Sequence, residues 1–227
     1  LTRRLRSALP DARLFVMYGQ TEATSRLTWL PPERLDEKLG SVGIPVDGVE
    51  LRIVREDGAP AGRDEPGEVW VRGANVMRGY WQHPEASAAV LRDGWLHSGD
   101  LGRVRPDGYL EVTGRTKELY KSGGELVMPK EIEDLLASYD DISQVFAIGL
   151  TDERWGEIGA VVVVPAPGAT LTDEEVLDRC REHLARFKVP KRVAFYRSED
   201  LPTTPTGKVQ KFRLAAELTD PASVRVG

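Results

Sequence analysis

Residues 41–114 carry short apolar runs separated by Gly, Pro and Asp. Val49–Val54 precedes Asp57-Gly58, residues 68–72 precede Gly73, and residues 109–113 follow Asp107-Gly108. Strand-length runs between turn signals predict short strands joined into a small barrel or sheet. After Gly114 the character changes. Pro129–Leu136 reads as a helix, with Pro129 in its first turn and Ile132, Leu135 and Leu136 on one face. Residues 145–150 and 160–164 read as strands. Residues 172–187 read as a helix capped by Thr172, with Glu175 three positions on and Val176, Leu177, Cys180 and Leu184 on one face. Residues 193–196 give one more strand, and near the start residues 14–18 read as a short buried strand after a basic amphipathic segment at 1–10. The sequence therefore predicts an α+β protein: a β-barrel-like part over 1–114, a connection at 115–117, and a smaller α+β domain over 118–220.

Composition narrows the function. The net charge of −5 argues against a nucleic-acid partner. The longest apolar run, residues 159–165, is far below the roughly 20 residues of a transmembrane helix. A lone Cys180 excludes an intrachain disulfide and suits a reducing cytoplasm. The chain begins at Leu1 rather than Met, which reads as the mark of a fragment.

Four segments hold the residue types that chemistry needs. Tyr18-Gly19-Gln20-Thr21-Glu22 follows a strand, and a strand end of this kind suits a nucleotide site. There Tyr18 can stack on a base, Gly19 admits close backbone approach, Thr21 can bond a phosphate and Glu22 can hold Mg²⁺. The same residues also read as a plain turn with Thr21 as a helix N-cap. In His97-Ser98-Gly99-Asp100-Leu101 the carboxylate suits ribose hydroxyls, or the segment is a β-turn. Arg115 through Glu125 contains the pair Gly123-Gly124, either a close approach to a ligand or a solvated loop. Lys208 sits in Pro202-Thr203-Thr204-Pro205-Thr206-Gly207-Lys208-Val209, where it is a reactive lysine or an ordinary surface charge.

Taken in order, these segments resemble the adenylate-forming (AMP-binding) superfamily, which includes acyl-CoA synthetases, aryl-CoA ligases, luciferases and peptide-synthetase adenylation domains. Gly67-Glu68-Val69-Trp70-Val71-Arg72-Gly73 and Leu184-Ala185-Arg186-Phe187-Lys188-Val189-Pro190 extend the match, which runs from Tyr18 to Lys208. The resemblance implies a carboxylate attacking the α-phosphate of ATP, followed by transfer of the acyl group from AMP to a thiol, usually that of CoA. It implies Lys208 as the catalytic lysine of adenylation, and Tyr18, Gly19, Thr21, Asp100 and Arg115 as nucleotide contacts. Glu22 becomes the Mg²⁺ ligand and Lys117 the hinge about which a C-terminal lid rotates. Gly123, Gly124 and Trp155, with Lys188 or Lys191, would lie against CoA and its pantetheine arm. Segment 121–129 is most like that of acyl- or aryl-CoA ligases, although Leu126 stands where Asn is usual. The alternatives are an adenylation domain that loads a carrier protein through its pantetheine, and a non-catalytic lid fragment. The family's Gly-rich phosphate loop precedes the Tyr18 strand, and only seventeen residues do so here, so the chain alone is expected to be inactive.

Overall fold

A computed structural model describes residues 2–219, so Leu1 and residue 220, the edges of the expected segments, lie outside the described residues. The chain divides into two compact units, Leu1–Thr116 and Lys117–Gly227.

The first unit opens with helix α1 (Thr2–Ala8) and three short antiparallel strands, β1 (Val16–Tyr18), β2 (Thr28–Leu30) and β3 (Ile44–Pro45). Five more strands follow: β4 (Val49–Val54), β5 (Gly67–Gly73), β6 (Leu91–Arg92), β7 (Trp95–Val104) and β8 (Leu110–Arg115), with helix α2 (Pro84–Val90) before β6. They pair in the order β4-β5-β7-β6, and β8 also pairs with β7. A bridge between Gly43 and Leu110 joins β8 to the three-stranded sheet. The two sheets thereby curl around one core of Ala23, Leu27, Val49, Ile53, Val69, Val71, Leu96 and Leu110, the barrel-like arrangement expected of closely spaced turn signals. The strand expected to be buried at 14–18 is shorter and half exposed. Among the described residues β1 pairs only with β2, and Phe15 and Met17 are about 40% exposed.

The second unit is built on β11 (Ile142–Asp152), β12 (Gly156–Pro165) and β13 (Arg192–Phe195), with β13 parallel to β12. It also contains the hairpin β9 (Tyr120–Ser122) and β10 (Glu125–Val127), and helices α3 (Pro129–Leu136), α4 (Asp173–His183) and α5 (Lys211–Thr219). Alternation along β12 explains its unbroken apolar run. Val161 and Val163 face Ile132, Leu136, Val176 and Cys180 of α3 and α4, while Ala160, Val162 and Val164 face Leu214 and Leu218 of α5. A strand covered on both faces needs no polar positions. α4 begins as expected, with Thr172 and Glu175 in a reciprocal capping box. It stops at His183 rather than 187, because the extended backbone at Leu184 lets Leu184, Phe187 and Val189 all reach the core. Burial pushes the Cys180 thiol up to about 11, so it stays protonated and inert at neutral pH.

Tyr120 is the tightest fit in this unit. Its ring lies against Gly149 of β11 and Gly159 of β12, which pair across the two strands. A Cβ on either glycine would come within 2.4 Å of the tyrosine side chain. The Tyr120 hydroxyl is buried without a hydrogen-bond partner. Thermal denaturation of two variants separates these effects. Gly159→Ala lowers stability by about 1–3 kcal/mol through overpacking. Tyr120→Phe leaves stability unchanged or raises it, since it removes an unsatisfied buried hydroxyl and no interaction.

Candidate active site

Within the first unit the fold brings Tyr18, Asp100 and Arg115 together from β1, β7 and β8. The Tyr18 hydroxyl donates to Asp100 Oδ2 at 2.7 Å, and Arg115 Nε donates to Asp100 Oδ1 at 2.9 Å. Asp100 is 4% exposed, so its charge acts where water screens it weakly. Tyr18 is held far above its usual range, first by burial and then by the Asp100 charge, and remains a hydrogen-bond donor at every working pH. Each carboxylate oxygen keeps a second lone pair for a further donor.

Strand irregularity delivers Asp100. The segment at 97–101, for which a β-turn was the alternative to a ribose-binding role, lies inside β7. In the β5–β7 ladder, Trp70 pairs with His97 and Glu68 with Leu101, so two residues on β5 span four on β7. Glu68 fixes this bulge. Its Oε1 accepts from the Gly99 amide at 3.0 Å, and its Oε2 accepts from Trp70 Nε1 at 2.8 Å. His97 lies over Trp70, with ring centroids 3.9 Å apart. Burial, with Arg92 nearby, lowers the His97 pKa and keeps it neutral. Glu68 was visible in the sequence within the Gly67–Gly73 segment but carried no role there. A β-strand glutamate looks like a solvated charge until the ladder shows which amide it faces.

Glu22 stands apart from that cluster. Tyr80 donates to Glu22 Oε1 at 2.8 Å, and Met77 donates its amide to the Glu22 carbonyl at 2.7 Å. Thr21 caps no helix. It opens a 3₁₀ turn, Thr21–Ala23, whose N-cap is Gln20 without a side-chain bond, so the N-cap reading of Thr21 is corrected. Gly19 is required by its own chain, since a Cβ there would lie 2.4 Å from the Ser25 carbonyl oxygen. Among the described residues no group of three or more His, Cys, Asp or Glu side chains is placed to hold a metal. A lone carboxylate fits a magnesium ion whose other ligands are nucleotide phosphates and water.

In the second unit, Lys208 is exposed on a pinned turn. Thr203 and Val209 form a bridge, the Thr204 amide donates to the Lys208 carbonyl, and the Lys208 amide donates to Thr204 Oγ1. Among the described residues no carboxylate pairs with its ammonium. Lys117 is exposed in the 3₁₀ turn Thr116–Glu118. Gly123 and Gly124 form the two-residue turn between β9 and β10, with φ of +62° and +89°. Both values lie in the left-handed region that a type I′ hairpin turn requires, so the turn role holds for both glycines. Trp155 is 53% exposed at the β11–β12 turn beneath Arg154, not buried. Lys188 is engaged by both oxygens of Glu131, at 2.7 and 2.9 Å.

Comparisons with known proteins bear on the family of the chain. The family described as AMP-binding enzyme matches residues 1–81, and that described as AMP-binding enzyme C-terminal domain matches residues 131–208. A feruloyl-CoA synthase of Amycolatopsis is 45% identical over 194 residues, covering 86% of this chain and 39% of that protein. The indoleacetate–CoA ligase of Aromatoleum aromaticum is 45% identical over 198 residues, covering 87% and 38%. The solved structure of ATP-bound MatB from Rhodopseudomonas palustris superposes with a TM-score of 0.87 at 36% identity, covering 96% of this chain and 43% of that one. The chain thus spans about two-fifths of the length of the relatives it matches. No helix among the described residues is long and apolar enough to cross a membrane. With the ordered motifs from Tyr18 to Lys208 and the matches on both sides of Lys117, the chain belongs to the adenylate-forming, AMP-binding enzyme family.

Proposed function

We propose that this chain carries the C-terminal part of an AMP-forming acid–thiol ligase, which activates a carboxylic acid with ATP and passes the acyl group to CoA. The Tyr18–Asp100–Arg115 cluster is the observation that carries this reading. A buried carboxylate between a phenol and a guanidinium suits the two hydroxyls of a ribose, and the partly buried Tyr18 is the aromatic proposed to stack on adenine. The CoA ligases among the relatives support the thiol step.

Two anions must meet in the first step, the carboxylate and the α-phosphate, so fixed positive charge has to be present where they approach. Lys208 supplies it from an ammonium that no carboxylate pairs among the described residues, on a rigid turn. Glu22, oriented by Tyr80, would hold magnesium, which when bound neutralises phosphate charge. Thr21 bonds a phosphate oxygen. Lys117 serves as the hinge: a change of φ/ψ at one exposed position turns the second unit, withdraws Lys208 and presents the Gly123-Gly124 turn to the thiol. Trp155 offers an exposed aromatic face to CoA. Its supply of ATP and CoA, and its single protonated thiol, fit the cytoplasm.

The full-length protein tests this with a panel of aryl and aliphatic carboxylic acids. Acid-dependent pyrophosphate exchange together with CoA-dependent thioester formation is expected. Exchange that CoA never converts to thioester would reject the thiol step. The glycine turn is tested by Gly124→Asn, because asparagine tolerates positive φ and keeps the turn while adding a side chain. Exchange stays within about twofold, and CoA-dependent turnover falls by about tenfold or more as the pantetheine path narrows. Turnover equal to the parent removes this turn from the thiol path.

A further inference from the structure

Three charged side chains from three elements of the second unit meet at one point. Lys211 Nζ lies 2.6 Å from Glu118 Oε2 and 2.8 Å from Glu133 Oε1. Their side chains are 22%, 34% and 21% exposed. Glu133 is fixed from a second direction, its Oε1 accepting the Ala147 amide of β11 at 2.8 Å. Burial disfavours the Lys211 ammonium, but Glu133 and Glu118 outweigh it and raise the lysine above its usual range. The lysine therefore stays charged between the two carboxyl groups throughout the working pH range. An exposed ion pair would contribute little. This one is a shielded three-body contact, and removing its centre would leave two carboxylates facing each other.

Its placement is what gives it a role. Glu118 closes the 3₁₀ turn Thr116–Glu118, one residue after Lys117. Lys211 opens α5, three residues after Lys208. The backbone between them is tied down: Thr203 bridges Val209, and the Gln210 amide donates to the Pro202 carbonyl at 2.8 Å. Behind Lys211, Leu214 and Leu218 anchor α5 in the core. A short, stiff path thus runs from the exit of Lys117 through Glu118 and Lys211 to Lys208. Glu133 braces that path against α3 and β11.

We propose that the Glu118–Lys211–Glu133 cluster is a positioning strut, which fixes Lys208 relative to Lys117 so that turning at Lys117 delivers the lysine in register for adenylation. The strut rests on the reading of Lys117 as hinge and Lys208 as the adenylation lysine. Without it, the 3₁₀ turn and the Lys208 turn move independently, and the ammonium reaches the reacting oxygens in only a fraction of turned molecules. Thioester formation does not use Lys208 and is spared.

The test measures both half-reactions in the full-length protein for Lys211→Met, Lys211→Arg and Lys208→Ala. Lys211→Met is expected to lower kcat for pyrophosphate exchange by about tenfold or more, as for a displaced catalytic group. KM for ATP and thioester formation from preformed acyl-adenylate stay within about twofold. Lys211→Arg, which can still bridge two carboxylates, restores most of the exchange. A parallel fall in both half-reactions, or no fall in either, overturns the strut. If Lys211→Met does not fold, Glu118→Gln keeps an acceptor without the charge and is judged by the same split. Normal exchange in Lys208→Ala overturns the reading beneath the strut. Exchange lost in Lys208→Ala yet intact in Lys211→Met overturns the strut alone.

Discussion

Lys208→Ala in the full-length protein lowers acid-dependent pyrophosphate exchange by about 10²–10³-fold, the usual cost of removing one preorganised charge from a developing transition state. Thioester formation from acyl-adenylate supplied ready-made changes by less than about threefold, since that step brings no second anion to the phosphate. The structural reason is an ammonium with no carboxylate partner among the described residues. Most lysines of this chain with described contacts are held by carboxylates, as Lys38 is by Asp107, Lys130 by Asp134 and Lys188 by Glu131. Lys208 has no such partner among the described residues, and its backbone is pinned by Thr204 on both its amide and its carbonyl. Equal losses in the two half-reactions would assign Lys208 a general structural part instead.

Asp100→Ala has a comparable effect at the other end of the nucleotide. It strands the buried Tyr18 hydroxyl and leaves the Arg115 guanidinium without its carboxylate, and it removes the acceptors available to a ribose. Hydrogen bonds to a charged group contribute about 1.5–3 kcal/mol each. One such bond to ribose, lost without replacement, lowers kcat/KM for ATP by about tenfold to a hundredfold. Asp107→Ala, which removes the pair with Lys38 and a bond from the Tyr109 amide, leaves ATP use unchanged and serves as the control. Calorimetric titration with AMP gives a second readout: affinity falls in Asp100→Ala and is retained in Asp107→Ala. Equal affinity in both variants would remove the ribose role from Asp100.

How far the sequence carries depends on whether the deciding force is local. Helix α3 was legible to the residue, because Pro129 sets its start and Ile132 and Leu136 repeat at helical spacing. The start of α4 was legible for the same kind of reason, a reciprocal bond between Thr172 and Glu175 three positions apart. Its end was not, because Leu184 leaves the helix to satisfy a core assembled from distant strands. The candidate site divides in the same way. Tyr18, Asp100 and Arg115 could be named from their segments, yet their contacts span 82 and 15 positions and appear only once β1, β7 and β8 are placed. Glu68 and Tyr80 were passed over because each acts on a partner far away in sequence, Gly99 and Glu22 respectively. Trp155 is exposed on a hairpin turn, which no pattern in its own segment announces.

The slot that holds Tyr120 restricts the order in which this unit can change over generations. A side chain at Gly149 or Gly159 overpacks against Tyr120 and lowers stability. The ring, in contrast, can lose its hydroxyl at once, because nothing is bonded to it. An added Cβ at Gly149 would meet the Tyr120 Cβ itself, which no other side chain at position 120 removes, whereas at Gly159 the nearest atom is the hydroxyl, which phenylalanine lacks. Losing the hydroxyl before Gly159 is replaced is therefore the less costly order of steps.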